Sequence, residues 1–192
     1  MINRLIIYGG SFDPIHHGHY FMAEQALRTV QAEEVHFVLA KNPRWKDKKD
    51  DGSHRLQMLK LYLQDVIWAR VDEYELHRED EVNYSIDTIQ YFITKYPGTK
   101  LYFLIGMDQV EKFHLWKDAA SIASLVQLLV YHRPEYPKDH ENVELFHMQV
   151  IEGPDHNISS TDIRLLKSLQ TKKAVLDYIA HHHLYYMHKI ED

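Results

Sequence analysis

Gly9-Gly10-Ser11-Phe12-Asp13-Pro14-Ile15-His16-His17-Gly18-His19 decides the fold, because an apolar run precedes it and a helical pattern follows. Leu5, Ile6, Ile7 and Tyr8 read as a buried strand closed by glycine. From Tyr20 onward, Phe21, Ala23, Glu24, Ala26, Leu27 and Val30 recur at helical spacing. The order is therefore strand, glycine turn and helix start, with histidines at the mouth. A helix N-terminus presents unpaired N–H groups and a partial positive charge, which suits phosphate. Glycine lets the backbone approach phosphate closely, and histidine adds donors that can become cationic. Alone, Gly-Gly after a strand is an ordinary turn and His-x-x-His an ordinary surface pair. Together at a first strand-to-helix turn they point to a phosphate site. No Gly-Lys-Ser/Thr follows, so this is not a P-loop, and the dinucleotide fingerprint G-x-G-x-x-G is absent.

Working outward, apolar stretches alternate with helical patterns. Strands are expected at 35–39, 101–105, 125–131 and 144–150, with another inside 69–76. Helices are expected at 54–63, 85–95, 110–113 and 119–124, and over most of the tail from Thr161. In the 54–63 helix, Leu56, Leu59 and Leu63 share one face, with Met58 near its edge. Tyr96-Pro97-Gly98 stops the 85–95 helix. This alternation predicts an α/β fold, Rossmann-like, with a mostly parallel sheet and helices on both faces. Such sheets bind ligands at the carboxyl ends of their strands, at a topological switch point. Residues 9–19 lie at one such end and Gly106-Met107-Asp108 at another. The polar loop 41–53 is long enough to act as a lid beside the site.

Length and composition narrow the class. One domain spanning all 192 residues is expected, with 45% apolar and 26% charged residues, as in an ordinary globule. A formal charge of −6 argues against a general nucleic-acid-binding surface, while leaving room for a local cluster of donors facing an anionic small molecule. No apolar run approaches the ~20 residues that span a bilayer, and no signal-peptide pattern opens the chain. The absence of cysteine excludes disulfides and thiolate ligands and fits a cytoplasmic enzyme. Of the 15 histidines, His181-His182-His183 tempt a metal reading, but consecutive helical residues point in different directions, so no metal site is expected there.

The opening stretch resembles the G-G-[ST]-F-D-P-x-H-x-G-H signature of the HxGH nucleotidyltransferases. From first strand to last helix the chain most resembles bacterial nicotinate-nucleotide adenylyltransferases, which condense a pyridine mononucleotide with ATP to give a dinucleotide and pyrophosphate. The resemblance implies that His16 and His19 contact the ATP phosphates and stabilise charge as pyrophosphate leaves. It implies that Gly9, Gly10, Ser11, Phe12 and Gly18 form the ATP-binding turn, with Asp13-Pro14 shaping it. His17 falls at the variable position. The second signature is Ile158-Ser159-Ser160-Thr161-Asp162-Ile163-Arg164. Read from the residues alone it is a helix N-cap with Arg164 on the helix surface. It resembles the family's I-S-S-T-x-I-R, which implies that Ser160, Thr161 and Arg164 hold the triphosphate, Arg164 with several fixed donors.

A third set bears on the acceptor. Glu75-Leu76-His77-Arg78 and Asn83-Tyr84-Ser85-Ile86-Asp87-Thr88 resemble the family's E-x-x-R and S-Y-T-x-D-T, with Asn83 and Ser85 as departures. Gly106-Met107-Asp108, then Phe113 and Trp116-Lys117, resemble G-x-D-x(4)-[FL]-x-x-W. A tryptophan face can stack on a pyridine ring, and a strand-end aspartate can accept ribose hydroxyls. The resemblance implies that Tyr84, Ser85, Asp108 and Trp116 line the mononucleotide site, with Lys117 near the pyridine carboxylate. Arg133-Pro134 is similar to the family's R-P and reads as structural. Where the family has P-P-H-K this chain has Pro43-Arg44-Trp45-Lys46, so Lys46 can still reach a substrate phosphate while Arg44 and Trp45 alter that wall and the nicotinate-over-nicotinamide preference.

The implied substrates are ATP and nicotinate mononucleotide, with Mg²⁺ as the cofactor that accompanies ATP. A homo-oligomer is left open. The nearest alternatives are pantetheine-phosphate adenylyltransferase, a cytidylyltransferase, or a non-catalytic nucleotide-binding module on the same fold. Retention of His16, His19 and Arg164 argues against the last. An aminoacyl-tRNA synthetase would need a K-M-S-K-S-like loop, which the chain lacks.

Overall fold

The computed structural model describes residues 2–41, 52–79, 82–133, 135–154 and 158–185. In chain order the elements are β1 (Arg4–Gly10), α1 (His17–Val30), β2 (Glu34–Leu39), α2 (Ser53–Leu63), β3 (Ala69–Asp72), α3 (Ser85–Lys95), β4 (Lys100–Gly106), α4 (Ala119–Leu125), β5 (Gln127–Tyr131), α5 (Glu141–Leu145), β6 (Gln149–Ile151), α6 (Ser160–Arg164) and α7 (Lys173–His181). The six strands form one parallel sheet in the order β3-β2-β1-β4-β5-β6. The expected α/β, Rossmann-like sheet is therefore present, and every pairing in it is parallel.

Both faces of the sheet are buried, and strand periodicity divides the core between them. Ile6 and Tyr8 of β1 join Phe37, Leu104 and Leu129 beneath α1, α2 and α7. Leu5 and Ile7 face the other way and join Phe103, Ile105 and Val130 beneath α3 and α4. The strand order reverses between β1 and β4, which pair from Arg4↔Lys100 to Ile7↔Phe103. The crevice past their carboxyl ends is the switch point, and it is bordered by Gly9, Gly10 and Gly106. No helix among the described residues is long and apolar enough to cross a membrane.

Four sequence expectations need correction. Residues 110–113 do not form a continuous helix; short 3₁₀ turns occupy Met107–Gln109 and Phe113–Leu115, and Val110 between them and Phe113 at the start of the second are buried. Residues 144–150 are not one strand: α5 ends at Leu145 and β6 begins only at Gln149. The apolar Val143 and Phe146 pack sideways onto the α3/α4 core from a helix whose start is fixed by tertiary bonds. The His140 ring accepts from Asn142 N at 3.1 Å, and Asn142 Nδ2 donates to Val110 O at 2.8 Å. Leu125 closes α4 rather than opening β5. In α2 the buried stripe is Arg55, Met58, Leu59, Tyr62 and Leu63, while Leu56 is only partly covered.

Candidate active site

The turn after β1 is shaped from inside. Phe12 takes a left-handed conformation (φ 42°), and its ring is 1% exposed. That ring meets Tyr8 and His19 edge-on at 5.4 and 5.1 Å, so Phe12 supports the turn by packing inward. A Cβ on Gly10 would lie 3.0 Å from the same ring, whereas one on Gly9 would have no described residue within 4 Å. Gly10 is thus needed for packing, and Gly9 leaves open backbone at the switch point. The carbonyl of Ser11 accepts from Arg55 Nη1 at 3.0 Å. Arg55 also donates to Ala40 O at 2.9 Å and Lys41 O at 3.0 Å, which ties the turn to the end of β2.

His16 caps α1 with extended backbone, and its carbonyl accepts from His19 N at 3.0 Å and Tyr20 N at 3.3 Å. Its N–H donates to His19 Nδ1 at 3.3 Å, which assigns the remaining proton of neutral His19 to Nε2. The two rings stack with centroids 3.7 Å apart. Gly18 permits this, because a Cβ there would come within 3.0 Å of the His16 ring. His16 is 3% exposed, and its buried Nδ1 has no hydrogen-bond partner among the described residues. Buried polar nitrogens are normally satisfied, so an orphan at a helix start marks a place for a ligand. The first turn of α1 carries no acidic residue to compete with an anion.

Burial, reinforced by Arg133 and His17, pushes His16 down to about 3. Burial, His16 and Arg133 hold His19 well below the ordinary imidazole range. Both rings are neutral donors in the ligand-free protein, and a bound polyanion would pull their pKa values up. Stability linked to these rings is complete above the unfolded value of about 6.5 and is lost as pH falls toward their folded values. The urea midpoint should therefore fall between pH 7 and pH 5, and the fall should shrink in His16→Gln. An equal fall in the variant would contradict this origin.

The second signature folds over the same turn. Ser159, not Ser160, is the N-cap of α6, with its hydroxyl accepting from Asp162 N at 3.1 Å. Ser160 Oγ donates to Pro14 O at 3.0 Å. Arg164 Nη1 donates to Asp13 O at 2.5 Å, and its Nη2 donates to Thr161 Oγ1 at 2.8 Å. Ser160, Thr161 and Arg164 are thus brought together against the histidine turn, as the resemblance to the paired family signatures implied. Farther on, Thr171 Oγ1 donates to Ile15 O at 2.8 Å, and His17 N donates to Gln170 O at 3.0 Å.

The acceptor set gathers at the start of α3 and the end of β4. Tyr84 caps α3, Ser85 is its first residue, and Lys117 Nζ lies 4.3 Å from the Tyr84 ring centroid. Trp116 is half-buried, packing on Phe113 at 5.2 Å and edge-on to Phe103 at 6.3 Å. The Asp108 carboxylate lies over Gly106, where a Cβ would collide with its Oδ1, and accepts from Gln109 Nε2 at 2.5 Å. Glu75 braces this region: its Oε1 accepts from Thr88 Oγ1 at 2.7 Å and its carbonyl from Asn83 Nδ2 at 3.0 Å. Burial pushes the Glu75 carboxyl up. Arg78 Nη1 donates to the Tyr74 hydroxyl at 2.9 Å, and Nη2 lies 3.5 Å from Asp87 Oδ2. Lys46, Arg44, Trp45 and the centre of the 41–53 loop lie outside the described residues.

Sequence reasoning gave Asp13 a turn-shaping role and did not single out Arg55. Arg133 was read as structural, yet its charge acts on His16, His19 and Tyr8. Asp13 is 4% exposed and receives the Tyr185 hydroxyl at 2.6 Å. Arg55 is 1% exposed and opens the buried stripe 55, 58, 59, 62, so helical spacing was a usable signal for it. Among the described residues, no group of three or more His, Cys, Asp or Glu side chains is placed to hold a metal ion.

A parallel sheet with a histidine-bearing glycine turn at its switch point, clasped by a second serine-rich helix start, defines a nucleotidyltransferase-type phosphate site. The chain belongs to the cytidylyltransferase-like family, matched over residues 7–166, and within it to the nicotinate-nucleotide adenylyltransferases. A curated protein of Aquifex aeolicus named "Probable nicotinate-nucleotide adenylyltransferase" is 35% identical, over 82% of this chain and 99% of its own. A Mycoplasma genitalium protein named "Probable nicotinate-nucleotide adenylyltransferase/Ap4A hydrolase" is 31% identical over 96% of this chain, which spans only 53% of that relative. Among solved structures, a Plasmodium falciparum nicotinic acid mononucleotide adenylyltransferase complexed with NaAD superposes with a TM-score of 0.79. It is 20% identical, with 95% of this chain and 97% of that one covered, and it supports the fold.

Proposed function

We propose that this chain joins nicotinate mononucleotide to ATP, giving deamido-NAD and pyrophosphate, as an adenylyltransferase of NAD biosynthesis in the cytoplasm. The observation that carries the reading is the stacked His16–His19 pair, with its orphaned buried nitrogen, at the switch-point turn. A phosphate oxygen of the mononucleotide attacks the α-phosphorus of ATP. The bond from that phosphorus to the bridging oxygen breaks, and pyrophosphate leaves with the electron pair. The attacking group is already an anion, so the protein supplies position and charge stabilisation rather than a nucleophile. His19 Nε2–H and the His16 ring donate to the phosphates, and their depressed pKa values rise as negative charge accumulates beside them. Arg164, bonded to the Asp13 carbonyl, and Arg133, whose charge acts on both histidines, add fixed positive charge.

Magnesium would be carried on the triphosphate: the N–H donors of the turn suit phosphate oxygens, and the ion would take its ligands from phosphate and water oxygens. When bound, the ion would neutralise phosphate charge and ease departure of pyrophosphate. At the acceptor end, Trp116 stacks on the pyridine, Asp108 receives ribose hydroxyls, and Lys117 faces the carboxylate. Trp116→Ala should weaken mononucleotide affinity about tenfold, in keeping with ~1–3 kcal/mol for stacking on an aromatic side chain, with ATP affinity unchanged. A loss of thermal stability alone would make Trp116 a core residue only. The reading is tested by supplying ATP and Mg²⁺ with nicotinate mononucleotide, nicotinamide mononucleotide or phosphopantetheine and measuring pyrophosphate. Release with nicotinate mononucleotide foremost is expected; release only with phosphopantetheine overturns the acceptor assignment.

A further inference from the structure

The start of α3 carries Tyr84 and Ser85, yet it has no side-chain cap: Tyr84 stands at the N-cap position and makes no cap bond with its side chain. Its carbonyl accepts the first helical bonds, from Asp87 N at 3.0 Å and Thr88 N at 3.4 Å. The helix start is held instead by Glu75, in the turn just beyond β3. That turn is anchored to the strand, because Asp72 Oδ1 accepts from Tyr74 N at 2.9 Å. Glu75 then grips the chain on either side of Tyr84 and Ser85. Its carbonyl accepts from Asn83 Nδ2 at 3.0 Å, and its Oε1 accepts from the buried Thr88 hydroxyl at 2.7 Å.

The Asn83 amide is bonded at one end only. The Glu75 carbonyl fixes which end is nitrogen, since a flipped amide would set two oxygens against each other. Oδ1 is then buried, with no hydrogen-bond partner among the described residues. A buried unpaired acceptor costs at least as much as one neutral hydrogen bond contributes. The side chain therefore adds little net stability, and what it supplies is position. We propose that Asn83 is a positioning residue for the acceptor site: by tying the chain to Glu75 it fixes Tyr84 and Ser85, and so sets affinity for the pyridine mononucleotide. The inference rests on the reading that this end of α3 lines the mononucleotide site. Lys117 Nζ lies 4.3 Å from the Tyr84 ring centroid, so a displaced Tyr84 would disturb Lys117 as well.

Steady-state kinetics and melting of the full chain test this. Asn83→Ala removes the tie and the unpaired oxygen together. It should raise KM for nicotinate mononucleotide about tenfold, within the ~10²-fold that a 1 Å misplacement can cost. Turnover and KM for ATP should stay within about twofold, and the melting temperature should not fall. A merely structural role would lower the melting temperature and raise both KM values, which would overturn the proposal. So would failure of Asn83→Ala to fold, since the side chain would then be a net stabiliser. Thr88→Val releases the other hold of Glu75 and should raise the same KM, while Thr88→Ser, which keeps the hydroxyl, should restore it; an unchanged KM in Thr88→Val would remove Glu75 as the intermediary. Calorimetric titration separates the two levels of the argument. Wild-type protein that does not bind nicotinate mononucleotide overturns the proposed acceptor and this inference with it. Wild-type binding alongside an unaltered KM in Asn83→Ala overturns this inference alone.

Discussion

Replacing His19 with alanine should lower turnover by ~10²-fold or more, as expected for losing a donor aimed at transition-state charge. The effect should fall on kcat more than on ATP binding, because the donor matters most as charge builds on the departing pyrophosphate. Two features of the geometry favour His19. Its Nδ1 is occupied by the His16 N–H, which leaves Nε2 as the donor, and its ring is fixed by Phe12 on one side and His16 on the other. His19→Asn, which retains an N–H donor, should recover part of the loss. Near-normal turnover in folded His19→Ala would remove His19 from the chemistry. The folded state is checked by melting, since alanine also leaves a hole beside Phe12.

The second large effect is on stability. Arg55→Met should cost roughly 3 kcal/mol or more, because the carbonyls of Ser11, Ala40 and Lys41 lose charged donors. Methionine fills much of the volume, so the loss reports hydrogen bonding rather than a cavity. That is a large share of a typical domain's ~5–15 kcal/mol. Denaturant unfolding measures it directly, and a change below about 1 kcal/mol would show that water replaces the guanidinium. Because Ser11 belongs to the turn, ATP affinity should fall as well.

Local patterns made the sheet legible. Leu5, Ile6, Ile7 and Tyr8 form an apolar run because both faces of β1 are covered, and 101–105 has the same property in β4. The histidine turn and the 158–164 motif were legible as separate helix starts, and their resemblance to a known pair of signatures brought them together. What could not be read depends on distant partners. The strand expected at 144–150 fails because Asn142 reaches back to Val110, a contact no local pattern reports. Asp13 was read as shaping the turn, but its partners were hidden for the same reason, since Arg164 and Tyr185 are 151 and 172 positions away. The resemblance implied that Ser160 holds the triphosphate, and its hydroxyl bonds Pro14 O, so it also has a part in the fold.

The measurement that bears most directly on the account follows the adenylyl group itself. The protein is incubated with Mg²⁺, nicotinate mononucleotide and ATP labelled at the α-phosphorus, and label is traced to dinucleotide, to free nucleotide and to the protein. The account predicts label in deamido-NAD, in step with pyrophosphate release, with none attached to the chain at any time. Label that stays in ATP while the protein binds both nucleotides, or that passes first onto a side chain, would contradict it.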